Sequence, residues 1–251
     1  MKIHTHDLLA YDGLKILQSE DSFRFSLDSL LLGSFIDLNL RTKKILEFGC
    51  GVGAVMLYLS LKTKAKIYGI DIQEDSLDLA RQSIVLNNLT EQIEVFNQDI
   101  KTVHNFFEPS SFDYVISNPP FFKVHDLMMV NEKMSLSLSR HEISVTLSEL
   151  LDSAKRMLKT NGAFVFIHRA NRIEEIFQEL KAMRFVVKKM RFVYTKPNKE
   201  ALMVLIESRY NGKTGNLKIL EPLYVYDNHG NYTEEILEIF HLGDEKYVKK
   251  S

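Results

Sequence analysis

At 251 residues and 45% hydrophobic content, the chain can bury one substantial core and is too short for several large domains. A formal net charge of −1 argues against indiscriminate coating of nucleic acid, and a single cysteine excludes an internal disulfide framework. No apolar run approaches a membrane span, and Met1-Lys2-Ile3-His4-Thr5-His6 lacks the apolar core of a signal peptide. The expectation is a cytoplasmic protein with no membrane partner, no evident obligate protein partner and no metal. No Cys and His cluster has zinc spacing, and His4 and His6 read as a surface terminus.

Residues 1–40 form a preface, with short strands expected at 8–11 and 14–17 around Asp12-Gly13 and a helix at 28–36. Lys44-Ile45-Leu46 reads as a buried strand entering the turn Glu47-Phe48-Gly49-Cys50-Gly51-Val52-Gly53. A buried helix over residues 54–61 follows. Strand, glycine turn and helix N-terminus bring backbone close to a polar cofactor, because glycine has no Cβ to obstruct it. Cys50 inside this turn reads as a small filler. The next strand, 66–71, ends on Asp71, whose carboxylate suits two ribose hydroxyls. Leu77, Ala80 and Ile84 have helical spacing, with Asn87-Asn88 as a stop. The third strand, 93–96, leads into Asn97-Gln98-Asp99-Ile100, where a polar and an apolar neighbour suit the edge and face of an adenine.

The fourth strand ends Tyr114-Val115-Ile116-Ser117 and runs into Asn118-Pro119-Pro120-Phe121. Two prolines block ladder bonding and leave carbonyls unpaired. The Asn118 amide oxygen and the Pro119 carbonyl suit the two hydrogens of a planar amine, and Phe121 can stack on its ring. Residues 122–144 show no clean period and carry Met128, Met129, Met134, Lys123, Lys133 and Arg140; they read as a mobile cover over the substrate. A helix at 146–158 ending on Asn161-Gly162, a strand at 163–167, a helix at 173–180 and strands at 185–194 and 201–207 complete the pattern. The short link Lys196-Pro197-Asn198-Lys199 implies one antiparallel strand. The expected fold is α/β, Rossmann-like: a seven-stranded, mostly parallel sheet with one antiparallel strand, spanning 41–210. A C-terminal extension, 211–251, packs on it.

Charge is unevenly placed. Residues 118–210 hold 16 Lys and Arg against 10 Asp and Glu, and 181–199 hold seven cations and no acid. Phe185, Phe192 and Tyr194 are interleaved with these cations, a mixture that holds phosphates and splayed bases.

Gly49-x-Gly51-x-x-Ala54 also fits a nicotinamide fingerprint. The combined order of Glu47, the glycine turn, Asp71, Asp99 and Asn-Pro-Pro-Phe instead resembles class I S-adenosylmethionine-dependent methyltransferases acting on amino nitrogens. The resemblance becomes closer at Phe23-Arg24-Phe25-Ser26-Leu27-Asp28, Ser139-Arg140-His141-Glu142, 221–227 and 232–236. These are similar to segments of bacterial tRNA1(Val) (adenine-37-N6)-methyltransferases, with Ser139 where that family has Ala. The resemblance implies N6 methylation of the adenine beside the anticodon of a valine tRNA, with S-adenosylmethionine as cofactor. Cofactor contacts are then expected at Arg24, Asp28, Glu47, Gly49, Gly51, Gly53, Asp71, Ile72, Asp99, Ile100 and Asn118. Catalytic contacts are expected at Asn118, Pro119, Pro120 and Phe121. RNA contacts are expected at Phe121, Arg140, Lys188, Lys189, Arg191, Lys196 and Lys199. A guanine-N2 of rRNA, a DNA amine or a glutamine amide are alternative acceptors; a nicotinamide oxidoreductase and a catalytically silent RNA-binding module are alternatives from other classes.

Overall fold

The computed structural model describes residues 3–10, 12–19, 26–119 and 145–247. Arg24, Pro120, Phe121, Arg140 and the expected cover at 122–144 lie outside the described residues.

A hairpin opens the chain, β1 (Ile3–Asp7) with β2 (Lys15–Ser19). The first strand therefore precedes the expected 8–11. Leu8 and Leu9 are both buried in the connection, whereas a half-buried strand alternates its side chains between faces. Helix α1 (Leu27–Phe35) begins and ends one residue before its expected span. Next come β3 (Lys44–Phe48), α2 (Ala54–Ser60), β4 (Lys66–Asp71), α3 (Glu74–Leu86), β5 (Ile93–Asn97) and, after a 3-10 turn at Ile100–Asn105, β6 (Phe112–Ser117). The second half holds α4 (Leu147–Met157), β7 (Leu158–Arg169), α5 (Ile173–Ala182), β8 (Phe185–Tyr194) and β9 (Ala201–Tyr210). Thr146 and Glu149 form a reciprocal capping box that starts α4. The expected helix stop at Asn161-Gly162 comes earlier, at Met157. Asn161 is left-handed (φ 64°), but it belongs to a register shift between β6 and β7.

The long strands lie in the order β5-β4-β3-β6-β7-β9-β8, and β9 alone among them runs antiparallel to its neighbours. Two short strands of the C-terminal extension, β10 (Lys218–Ile219) and β11 (Leu223–Tyr224), pair in parallel with the outer edge of β8. The sheet thus has nine strands rather than seven, and an edge that would otherwise be open is covered. Helix α6 (Glu234–Phe240) follows, and the Ala10 N–H donates to the Phe240 carbonyl, joining the two extensions.

Both sheet faces are buried. Ile45, Ile67, Ile116, Val165 and Ile167 face α1, α2 and α3, while Leu46, Phe48, Ile70, Val115, Phe164 and Phe166 face α4 and α5. That is why these strands read as continuous apolar runs. The chain winds outward from β3 to β5, then returns to β6 on the other side of β3. This reversal opens a crevice at the C-terminal ends of β3 and β6, where open α/β sheets take their ligands.

Candidate active site

The glycine turn leaves β3 with Gly49, Gly51 and Gly53 at φ of +68°, +51° and +87°, a region other residues enter only with strain. A Cβ added at Gly49 or Gly51 would meet nothing within 4 Å, so the turn borders open space. Its N–H groups are largely committed inward. Gly49 and Cys50 donate to the Ile70 carbonyl (2.9 and 3.0 Å), Gly53 to the Cys50 carbonyl (2.9 Å) and Gly51 to Asp71 Oδ2 (2.8 Å). Asp71 Oδ1 accepts from the Gln73 N–H at 2.9 Å. Each Asp71 oxygen therefore holds one backbone group and keeps a second lone pair.

Beneath the turn, Glu47 is 2% exposed and its Oε2 has no hydrogen-bond partner. Burial, then the Asp71 charge, pushes its carboxyl well above the usual range, against one backbone bond from Met56. Burial also pushes the Cys50 thiol well up, with Glu47 and Asp71 adding to it, so no nucleophilic thiolate is set up there.

Asp71 lies opposite Asn97 in the β4–β5 pairing, which brings the ends of those strands together. Ile72, just beyond, is 36% exposed at the open edge, and Ile100 is half-buried. Asp99 caps the 3-10 turn by accepting from the Lys101 N–H at 2.8 Å.

Across the crevice, the Ser117 hydroxyl donates to the Phe48 carbonyl at 3.1 Å, joining the end of β6 to the start of the glycine turn. Half-buried Asn118 and Pro119 follow directly. The Asn118 Nδ2 donates to Ser29 Oγ on the first turn of α1 at 3.5 Å. Asp28, on the same turn, is raised by burial, opposed by the Ser26 hydroxyl and the charge of Arg169. Arg169 ends β7 at this same sheet edge. Sequence reasoning missed it, although a cation ending a strand that points toward the crevice was a usable signal. The expected contacts at Glu47, Gly49, Gly51, Gly53 and Asp71 thus lie around one turn. A hydrogen bond between Ser117 and Phe48 ties that turn to Asn118.

A family model described as "Methyltransferase domain" matches residues 40–221. The chain belongs to this methyltransferase family. Among curated relatives, it is 29% identical to the tRNA1(Val) (adenine(37)-N6)-methyltransferase of Phocaeicola vulgatus over 73% of this chain and 76% of that one. It is 27% identical to the enzyme of the same name from Tolumonas auensis, over 93% and 94%. A solved structure titled as a predicted O-methyltransferase from Agrobacterium tumefaciens aligns with a TM-score of 0.67 at 19% identity, over 86% of this chain and 96% of that one. TYW2 of P. horikoshii, solved with MeSAdo, aligns at 0.59 and 12% identity, over 84% and 72%. At these identities the solved structures speak to the fold alone.

The basic strip divides on inspection. Lys189 is buried. Its Nζ donates to the Phe35 carbonyl (2.6 Å) and Asp37 Oδ2 (2.7 Å), lies 3.6 Å from Glu207 and sits over the Phe35 ring. Arg191 forks onto Glu235 and donates to the Glu221 carbonyl at 2.8 Å. Lys188 holds the Lys213 and Gly215 carbonyls. These three expected RNA contacts are occupied in fastening the C-terminal segment and α1 to β8. Lys196 and Lys199 differ: both are exposed on the β8–β9 turn. Because β8 runs parallel to β6 and β7, that turn lies at the crevice edge of the sheet.

Proposed function

We propose that this methyltransferase transfers a methyl group from S-adenosylmethionine to the exocyclic N6 of an adenine in tRNA, the adenine beside the anticodon of a valine tRNA. The observation that carries the reading is the placement of Asn118 and Pro119 at the switch point, tied to the glycine turn through Ser117 and Phe48.

The residues suit this cofactor. Gly49 and Gly51 border an open cradle, Asp71 keeps lone pairs for ribose hydroxyls, and Ile72 and Ile100 offer apolar faces for a purine. A nicotinamide dinucleotide fits less well. Its pyrophosphate seeks free N–H groups, whereas those of Gly49, Cys50, Gly51 and Gly53 are spent internally and two carboxyl groups lie close by. When bound, S-adenosylmethionine supplies a methyl group on a positively charged sulfur.

Adenine N6 is a poor nucleophile because its lone pair is delocalised into the ring. Asn118 Oδ1 and the Pro119 carbonyl, accepting its two hydrogens, favour a pyramidal nitrogen with its lone pair directed outward. As positive charge develops on that nitrogen, the same two oxygens stabilise it. The surplus proton is then acidic enough to pass to water without a dedicated base. Extruding the base from its stack costs a few kcal/mol, comparable to a base–aromatic stack of ~1–3 kcal/mol, a role assigned to Phe121. Lys196 and Lys199 take RNA phosphates beside the crevice. On the C-terminal extension, Asp227, Glu234, Glu235 and Glu238 line one shallow depression, an acidic patch that disfavours phosphates there.

The test is incubation of labelled S-adenosylmethionine with total RNA and protein from a bacterium lacking the modification, followed by separation of protein, rRNA and individual tRNAs and nucleoside mass spectrometry. N6-methyladenosine confined to valine tRNA is expected. N2-methylguanosine in rRNA, label in protein, or no transfer would overturn the proposal.

A further inference from the structure

We propose that Ser29, on the first turn of α1, is a positioning residue that sets which way round the Asn118 side-chain amide faces the substrate base. The inference rests on the acceptor role proposed for Asn118 and adds a second residue to it. A primary amide has a donor end and an acceptor end of almost the same shape, so rotation by 180° exchanges them at little steric cost. For a base presenting an amino group, only one orientation works: the oxygen outward, the nitrogen inward. The reverse sets donor against donor and leaves the amino hydrogens without an acceptor.

In the structure Nδ2 points at Ser29 Oγ, 3.5 Å away, which leaves Oδ1 for the crevice. Ser29 is 8% exposed, so water competes poorly for its lone pairs. The Ser29 hydroxyl oxygen is the acceptor in this contact, with the Asn118 amide nitrogen as donor. The contact spans 89 residues of sequence and joins α1 to the end of β6. Ser26, extended at the start of α1, accepts from the Ser29 N–H at 3.1 Å through its backbone carbonyl, which holds Ser29 in the first turn. Asp28 precedes it, held by the Ser26 hydroxyl and facing the charge of Arg169. The preface is thereby part of the site as well as a cover for the core.

The experiment compares Ser29→Ala, Ser29→Thr, Asn118→Ala and the Ser29→Ala/Asn118→Ala double variant in the full chain. It measures single-turnover methylation of tRNA, cofactor and tRNA dissociation constants, and melting temperature. Ser29→Ala is expected to slow turnover about three- to tenfold, the worth of one hydrogen bond, with both dissociation constants unchanged. Ser29→Thr, which keeps the oxygen, stays within about twofold of the parent, and the double variant is no slower than Asn118→Ala alone. Wild-type turnover in Ser29→Ala, an equal loss in Ser29→Thr at unchanged melting temperature, or losses that multiply in the double variant would overturn the inference while leaving Asn118 as acceptor. Wild-type turnover in Asn118→Ala would instead remove the acceptor reading itself, and this inference with it.

Discussion

Replacing Asn118 with alanine deletes one of two acceptors aimed at a nitrogen that gains positive charge during the reaction. Turnover is expected to fall about 100-fold or more, with the cofactor dissociation constant by calorimetry nearly unchanged. Comparable loss of cofactor binding would contradict the assignment. Glu47 behaves differently, because its isolation from water, not its reach, sets its chemistry. A carboxyl whose pKa is raised on folding keeps its proton in the folded chain after the unfolded chain has released it, so it erodes stability as pH climbs above the unfolded value near 4.5. Glu47→Gln removes this titration. The variant should gain melting temperature relative to the parent at pH 8, and little or none at pH 4.5. A pH-independent difference would show that Glu47 is ionised in the folded protein. Asn118 was legible because two prolines after an apolar run announce an interrupted strand. The raised pKa of Glu47 was not, since it depends on burial beneath the turn and on Asp71, twenty-four positions later, arriving beside it.

The basic segment 181–199 shows what a strand does to a run of like charges. Ten residues of β8 at ~3.3 Å each carry the run about 30 Å from one edge of the sheet to the other. Only its last part ends at the crevice. Lys196→Gln with Lys199→Gln should weaken tRNA binding and flatten the slope of log K against log salt by up to about two. An unchanged slope would remove the hairpin from the RNA interface. Changing Lys188, Lys189 and Arg191 should instead lower the melting temperature, because it removes the cations paired with Asp37 and Glu235 and leaves buried Glu207 with Arg209 alone. Composition drew attention to all seven cations. Which were free was decided by acids and carbonyls from α1, β9 and the C-terminal extension. At the N-terminus the Asp12-Gly13 turn signal was correct in place, yet the pairing register came from contacts with α3. There the Leu17 N–H donates to Ser83 Oγ and Asn87 binds both backbone groups of Lys15.

For the molecule as a whole, the C-terminal extension serves as structure as well as charge. Leu223, Val225, Ile236 and Ile239 are buried in the core cluster that holds α1 and α2, and β10 and β11 occupy the outer edge of β8. Deleting residues 211–251 should expose that cluster and the strand edge, lowering the melting temperature and producing concentration-dependent light scattering. A truncated chain that stayed monodisperse and melted like the parent would show the extension to be dispensable for folding.

The alternation of apolar strands and helices, the glycine turn, the acid ending β4 and the Asn-Pro-Pro break were all determined by sequence alone. Each is a local constraint of backbone geometry or periodicity, readable within a few residues. What only the tertiary structure decided was which polar groups remain available. The N–H groups of Gly49, Cys50 and Gly51, together with Asp71, Lys189 and Arg191, all take at least one partner from a distant part of the chain. Pairing across long separations depends on how helices cross the sheet, and no local window contains that information.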